Sequence, residues 1–224
     1  MKDSKKLLNY FQKWEGAGST GLGMMIVGLA MIWFGRFAGY IFYITSVFTI
    51  LVGAAVFFYG NIGRATESDL KEIIQHRKEK GRLPAIEEER AFRSRLPKDM
   101  QELEFEGYVF RDGLLFKRMK NASLISSEYS YTHIKILNDA FYLKNTVFSL
   151  IEDSVTELLL DIPFSSVTSI TVERDRKNYP VGKKQFPFST CYVVITYGDG
   201  QRLLLPRKDD IYLDELVEKL KKHI

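Results

Sequence analysis

Between Gly21 and Tyr59 the chain carries one charged residue, Arg36. A helix that crosses a bilayer needs about 20 predominantly apolar residues, because each residue rises about 1.5 Å across a hydrocarbon core of about 30 Å. The stretch from Gly16 to Gly60 is too long for one such helix and long enough for two. Its break reads Gly35-Arg36-Phe37-Ala38-Gly39, where two glycines loosen a helix and the single charge sits. The spacing predicts one span near Gly16–Phe34 and a second near Phe37–Tyr59, a hairpin over residues 16–60.

The content of the spans narrows their role. Neither contains Asp, Glu, His or Lys. Transporters and proton pumps place ionisable groups at membrane depth, so these spans read as an anchor. Trp33, Tyr40 and Tyr43 cluster near the break, where an interfacial aromatic belt would lie. Only Gly35 and Gly39 show Gly-x-x-x-Gly spacing, and their position reads as a turn and not as a helix-pairing motif. Thr45, Ser46 and Thr49 are weakly polar, with hydroxyls that can bond back to the helix backbone. The apolar run is too long for a signal-peptide core and is followed at once by a second span.

Residues 1–15 are basic. Leu7, Phe11 and Trp14 fall on one helical face, with Lys2, Lys5, Lys6 and Lys13 around it. Such a segment can lie in the headgroup region with Phe11 and Trp14 downward and Lys5 and Lys6 near phosphates. Orientation follows from cations in the short flanks. Six Lys and Arg between Arg64 and Arg82, with the four N-terminal lysines, outweigh Arg36 alone in the turn. The positive-inside rule then places both termini in the cytoplasm of a two-pass cell-membrane protein.

Residues 61–103 read as a charged helical connector: one helix from Thr66 to Gly81 with the stripe Leu70, Ile73 and Ile74, and a second short solvated helix over Glu87–Leu96. Residues 104–224 form a domain with a different period. A hairpin is expected around Arg111-Asp112-Gly113. Strands follow over Tyr129–Leu137, Ala140–Leu150, Val155–Ile162, Ser169–Arg174, Thr190–Tyr197 and Gln201–Leu205, with turns at Asn138-Asp139, Glu152-Asp153 and Gly198-Asp199-Gly200. The tail Asp209–Ile224 is an amphipathic helix, capped by Asp209 or Asp210 and striped by Leu213, Leu216, Val217 and Leu220.

Two segments carry a family likeness. Asp161-Ile162-Pro163-Phe164-Ser165-Ser166-Val167-Thr168-Ser169-Ile170-Thr171-Val172 resembles the strand, Ile-Pro, small polar pair and next strand of the PH-like superfold (pleckstrin-homology, GRAM and bacterial PH domains). Tyr192–Leu203 resembles its last hairpin, which feeds a closing helix. The resemblance covers roughly residues 104–224. It implies an α+β, mainly β, domain of about seven antiparallel strands closed by a C-terminal amphipathic helix. It also implies that basic loops hold phosphate headgroups or peptides.

Chemistry is sparse. His76, His133 and His223 lack metal-ligand spacing, and no phosphate loop, nucleophile elbow or dinucleotide fingerprint is present. No metal, cofactor or enzymatic activity is expected. Cys191, the single cysteine, lies in an apolar alternating run and reads as a core residue. Asn121-Ala122-Ser123 matches a glycosylation acceptor by chance on a cytoplasmic domain. The net charge of +4 is too mild to argue for nucleic acid. Two basic clusters remain: Lys117, Arg118 and Lys120 after the first hairpin, and Arg174, Arg176, Lys177, Lys183 and Lys184 around a long loop holding Tyr179. Near an anionic leaflet each cation contributes about 1 kcal/mol. The expectation is a membrane-anchored adaptor that presents its domain to anionic phospholipid headgroups or to a membrane or cytoplasmic protein. The alternative is an accessory subunit of a larger transporter or sensor whose spans pack against partner helices.

Topology is directly testable. In a Cys191→Ser background, Arg36→Cys should label from outside intact cells and Lys222→Cys should not. The reverse pattern would invert the orientation.

Overall fold

The computed structural model describes residues 2–12, 16–63, 65–84, 94–119, 121, 123–207 and 213–224. Trp14, Lys120, the Asp209 and Asp210 caps and most of the second connector helix lie outside these residues. The chain forms two compact units, residues 1–67 and 68–224.

The first unit contains α1 (Lys2–Gln12), α2 (Ala17–Ala38) and α3 (Tyr40–Asn61). Helices α2 and α3 are each long and apolar enough to cross a membrane. The break between them is narrower than the sequence suggests. Helix α2 continues through Gly35 and stops at Gly39, whose φ of +93° only glycine adopts without strain. Gly35 therefore belongs to the helix and not to the turn.

Its role lies in the contact between α2 and α3. Gly21, Gly28 and Gly35 recur every seven residues on α2, and Ser46, Gly53 and Gly60 do so on α3; all six are buried. A seven-residue repeat keeps one seam facing its partner in a left-handed supercoil. The approach is close: a Cβ on Gly53 would sit 2.8 Å from the Gly21 carbonyl oxygen, and one on Gly28 would sit 3.0 Å from that of Ser46. The four-residue motif sought in the sequence misses this seam because its period is seven. Large side chains such as Ile26, Leu29, Trp33, Phe48 and Leu51 point outward. The hydroxyls of Thr45, Ser46 and Thr49 donate to carbonyls four residues back, at 2.6–2.8 Å. At the open end, Gly63 turns the chain with φ +66°. There the Ala65 amide donates to the Lys6 carbonyl at 3.1 Å, and Asn9 Nδ2 donates to the Gly63 carbonyl at 2.9 Å.

Among its described residues the second unit begins with α4 (Glu67–Gly81) and continues with nine strands: β1 (Gln101–Tyr108), β2 (Phe116–Arg118), β3 (Leu124–Ser126), β4 (Glu128–Ile136), β5 (Ala140–Ser149), β6 (Val155–Pro163), β7 (Val167–Val181), β8 (Lys184–Tyr197) and β9 (Gln201–Pro206). Helix α5 (Leu213–Lys221) follows. One antiparallel sheet has the order β1-β4-β5-β6 and another the order β7-β8-β9; β2 and β3 form a separate pair. Seven strands thus make the two larger sheets.

Two expectations change. The Asp112-Gly113 turn exists, with Gly113 at φ +85°, but it does not close a hairpin. Strand β1 instead pairs with β4 along its whole length, Gln101 opposite Ile136 through Tyr108 opposite Tyr129. The segment around Tyr179 is not a loop. Strands β7 and β8 pair through to Val181 opposite Lys184, joined by the two-residue turn Gly182-Lys183. Pro180 and Gly182 read as breakers, yet Gly182 supplies the positive φ of the turn.

The core between the sheets comprises Phe105, Ile134, Phe141, Leu143, Ile162, Ile170, Val193, Ile195 and Leu205, with Leu213, Val217 and Leu220 of α5. The other face of the four-stranded sheet is covered too. Gly81 packs so closely that a Cβ there would lie 3.1 Å from both Thr146 Oγ1 and Tyr131 Cδ1.

Residues 68–224 should therefore melt as one cooperative unit. A version starting at Leu96 loses α4 and Leu83, whose burial alone contributes about 2 kcal/mol. It should melt roughly 4–8 °C lower by circular dichroism. Equal melting points would show that α4 is not part of this fold.

Candidate functional site

The β7–β8 hairpin outruns the sheet it belongs to. Strand β9 pairs only with Tyr192–Tyr197, so Arg174–Val181 and Lys184–Cys191 continue as a two-stranded arm. A free two-stranded ribbon is marginal in water, but this one has a support. Phe116 of β2 lies 4.9 Å from Tyr179, centroid to centroid. Phe110 lies 5.3 Å from Tyr179 and 4.9 Å from Phe188. Leu124 and Val181 complete this cluster. The β2–β3 pair thus braces the arm.

The brace sets one cation of the first basic cluster against the arm. Arg118 lies over the Phe186 ring at 5.1 Å. Lys117 is buried and does not face solvent. The remaining cations divide by strand alternation, since opposed residues of an antiparallel pair share a face. Arg174 opposite Cys191 and Arg176 opposite Ser189 share one face. Lys177 opposite Phe188 and Lys184 opposite Val181 share the other, and Lys183 occupies the turn. Lys177 is 2.7 Å from Asp175, whose carboxylate holds the ammonium above its ordinary range. Arg174, Arg176, Lys183 and Lys184 have no carboxylate partner among the described residues.

A groove of about 390 Å³ opens at the root of the arm, lined by Phe110, Ser123, Ser189, Cys191, Tyr192 and Arg207, among others. Sequence reasoning passed over Arg207. Its amide donates to the Cys191 carbonyl at 3.3 Å, which extends the row Arg174–Cys191 across the sheet. Among the other described arginines of this unit, Arg77 is paired with Asp153, Arg82 with Glu104, Arg95 with Asp139 and Asp161, Arg111 with Glu128, and Arg202 with Glu173. Arg118, Arg174, Arg176 and Arg207 are the described arginines of this unit without a carboxylate: Arg174, Arg176 and Arg207 lie on one face of the arm and its root, and Arg118 lies over Phe186 on the other.

The arm is built to present side chains and not backbone. The Arg207 bond marks the odd-numbered β8 residues as those whose backbone faces away from β7. Pro187 is one of them, and Pro180 of β7 likewise points outward. Proline blunts an edge against pairing because it has no N–H to donate.

A second polar assembly lies under α4. Glu102, Glu104 and Glu106 alternate along β1. The Lys78 ammonium is 2.7 Å from Glu106, and Tyr129 donates to the same carboxylate at 3.0 Å. The Leu83 amide donates to His133 Nδ1 at 3.1 Å, so the proton sits on Nε2, 3.1 Å from Glu102. Lys135 Nζ donates to the Pro84 carbonyl at 2.9 Å. These contacts fasten α4 and its exit to the sheet. Asn121 Oδ1 accepts from the Ser123 amide and hydroxyl, so the acceptor-like triplet serves a turn.

Among the described sequence-derived membrane contacts, Lys5 and Lys6 are exposed and Phe11 is buried. Trp33, Tyr40 and Tyr43 are exposed around the break. Among the described residues, no three His, Cys, Asp or Glu side chains gather as a metal site. No protein-family model, curated protein or solved structure matches the chain.

Burial pushes the Tyr131 hydroxyl up to about 12, and burial with the nearby Glu106 pushes Tyr129 further. The folded state then keeps protons that the unfolded chain releases near pH 10, so stability falls as pH rises above about 10. Residues 68–224 should unfold at lower urea between pH 10 and 12 than at pH 8, and Tyr131→Phe should flatten that slope. An unchanged slope would remove Tyr131 as its source.

Proposed function

We propose that this chain is a non-enzymatic, two-pass membrane protein, both termini cytoplasmic, whose PH-like domain binds anionic phospholipid headgroups through the β7–β8 arm. One observation carries the reading: three arginines without carboxylates, Arg174, Arg176 and Arg207, share one face of the arm and its root, with Arg118 on the other face, while the other described arginines of the unit are ion-paired. Unpaired guanidinium groups keep their capacity for bidentate phosphate contacts. The arm carries five cations against Asp175, a surplus equal to the +4 of the whole chain. Charge so concentrated favours a surface of opposite sign.

The PH-like likeness is supported by a four-stranded and a three-stranded antiparallel sheet with α5 closing the core, and by β2–β3 entering as an insertion between the first two strands of the larger sheet. The anchor reading is supported by the internal glycine seam. Each span fills the small-residue face of the other and leaves large apolar side chains outward, which suits lipid better than a helix of an accessory complex.

The test is co-flotation of residues 68–224 with liposomes at 50 mM salt. Binding should require anionic lipid. It should weaken at least about tenfold in the Arg174→Ser, Arg176→Ser, Arg207→Ser triple variant and fade by 300 mM salt, because exposed charges are screened over about 10 Å at 0.1 M. Equal binding of the triple variant, or indifference of the parent to anionic lipid, would end this reading.

A further inference from the structure

The groove at the root of the arm follows the part of the β8 edge that β9 leaves uncovered. It is therefore lined from both faces of the arm, by Ser189 and Cys191 on the arginine face and by Phe188 and Tyr192 on the other. Phe110, Leu124 and Ile125 add an apolar wall. No Asp or Glu lies among its described lining residues, and one of them, Arg207, is a cation. Arg207 is half-buried and has no carboxylate partner among the described residues. A half-buried guanidinium without a counter-charge favours an anion. A second set of donors meets it there. Alternation along β8 turns the Ser189 N–H away from β7, as it turns the Cys191 carbonyl that accepts from Arg207. Neither that N–H nor the Ser189 hydroxyl has a protein partner among the described residues. Pro187 on one side and the Arg207 bond on the other leave Ser189 isolated. A single N–H builds no ladder with a strand, but it serves an anion. Arg174, opposite Cys191, and Arg176, opposite Ser189, stand on the same face.

We infer that this groove holds one single-chain phospholipid, its phosphate against Ser189 and Arg207 and its chain along Phe110, Phe188, Leu124 and Ile125. The inference rests on the reading of the arm and its root as a phosphate site, and it names the molecule. Charge chooses the head. The groove offers guanidinium, amide and hydroxyl donors and no acid, and a phosphate accepts from several such donors at once. Size chooses the tail. A volume of about 390 Å³ lies near the lower end of ligand cavities, room for one chain and not for two. The Ser189 carbonyl points outward beside its N–H and needs a donor. A single-chain glycerophospholipid brings one in its free glycerol hydroxyl, which a two-chain lipid lacks. The source is a bilayer, which α2 and α3 are long and apolar enough to cross.

Cys191, the single cysteine, lines the groove, so its alkylation by a maleimide reports occupancy. The test uses the full chain in phosphatidylcholine nanodiscs. Lauroyl lysophosphatidate at about ten times its dissociation constant should slow alkylation about tenfold. Glycerol phosphate and monolaurin carry the head or the chain alone, and each should slow it less than about twofold at the same concentration. Diacyl phosphatidate at an equal mole fraction gives the disc a like surface charge and should leave the rate near that in phosphatidylcholine. Arg207→Gln should raise the concentration for half-protection about tenfold. Ser189→Trp, at an exposed position, should fill the groove and abolish protection relative to the same variant without lipid. Equal protection by diacyl phosphatidate, or protection that survives Ser189→Trp, would overturn the single-chain site. Either result would leave the binding of anionic bilayers by the arm, which flotation reads separately. Absence of protection by lysophosphatidate would overturn the inference as well.

Discussion

The four-stranded sheet must be covered on both faces, and much of the second unit follows from that requirement. Eight of the nine residues of β4 are buried, alternating between the two faces. One face is met by the three-stranded sheet and α5. The other carries Tyr131, His133 and Lys135, groups that cannot be covered by hydrocarbon alone without leaving polar atoms unpaired. It is met by α4 and residues 82–84, whose lysine, arginine, amide and carbonyl groups match the glutamates of β1 and the ring of His133. The helix after the spans is therefore a wall of the domain as well as a connection.

What the sequence disclosed depended on period and length. The two apolar helices are legible because uncharged runs of that length have few other uses. Strands β4, β5, β6 and β9 were legible because their ends coincide with turn residues, and α5 because its stripe is regular. The arm was hidden by Pro180, Gly182 and Pro187, which signal a loop by composition; prolines are tolerated at outward positions of an edge. The Asp112-Gly113 turn misled in the opposite sense. A local signal cannot say whether the strands on either side choose each other, and β1 is bound to β4 by eight paired residues. Arg207 was missed because its significance is relational: it matters only beside Cys191 and Arg174, and only because other arginines are matched with acids.

Edges and seams divide the exposed surface into parts with different uses. The glycine seam consumes the small faces of α2 and α3, so those helices turn bulky side chains outward. The outward prolines of the arm leave side chains as its contact surface.

The arm is also long compared with the reach of a screened charge. Eight residue pairs beyond the sheet extend roughly 25 Å at about 3.3 Å per residue, two to three screening lengths at physiological salt. The cations are spread along that length: Arg174, Arg176 and Lys177 sit in the first four residue pairs at the root, and Lys183 and Lys184 stand at the tip. The two ends are therefore screened from one another, and a counter-charge in solution meets the tip lysines independently of the arginines at the root.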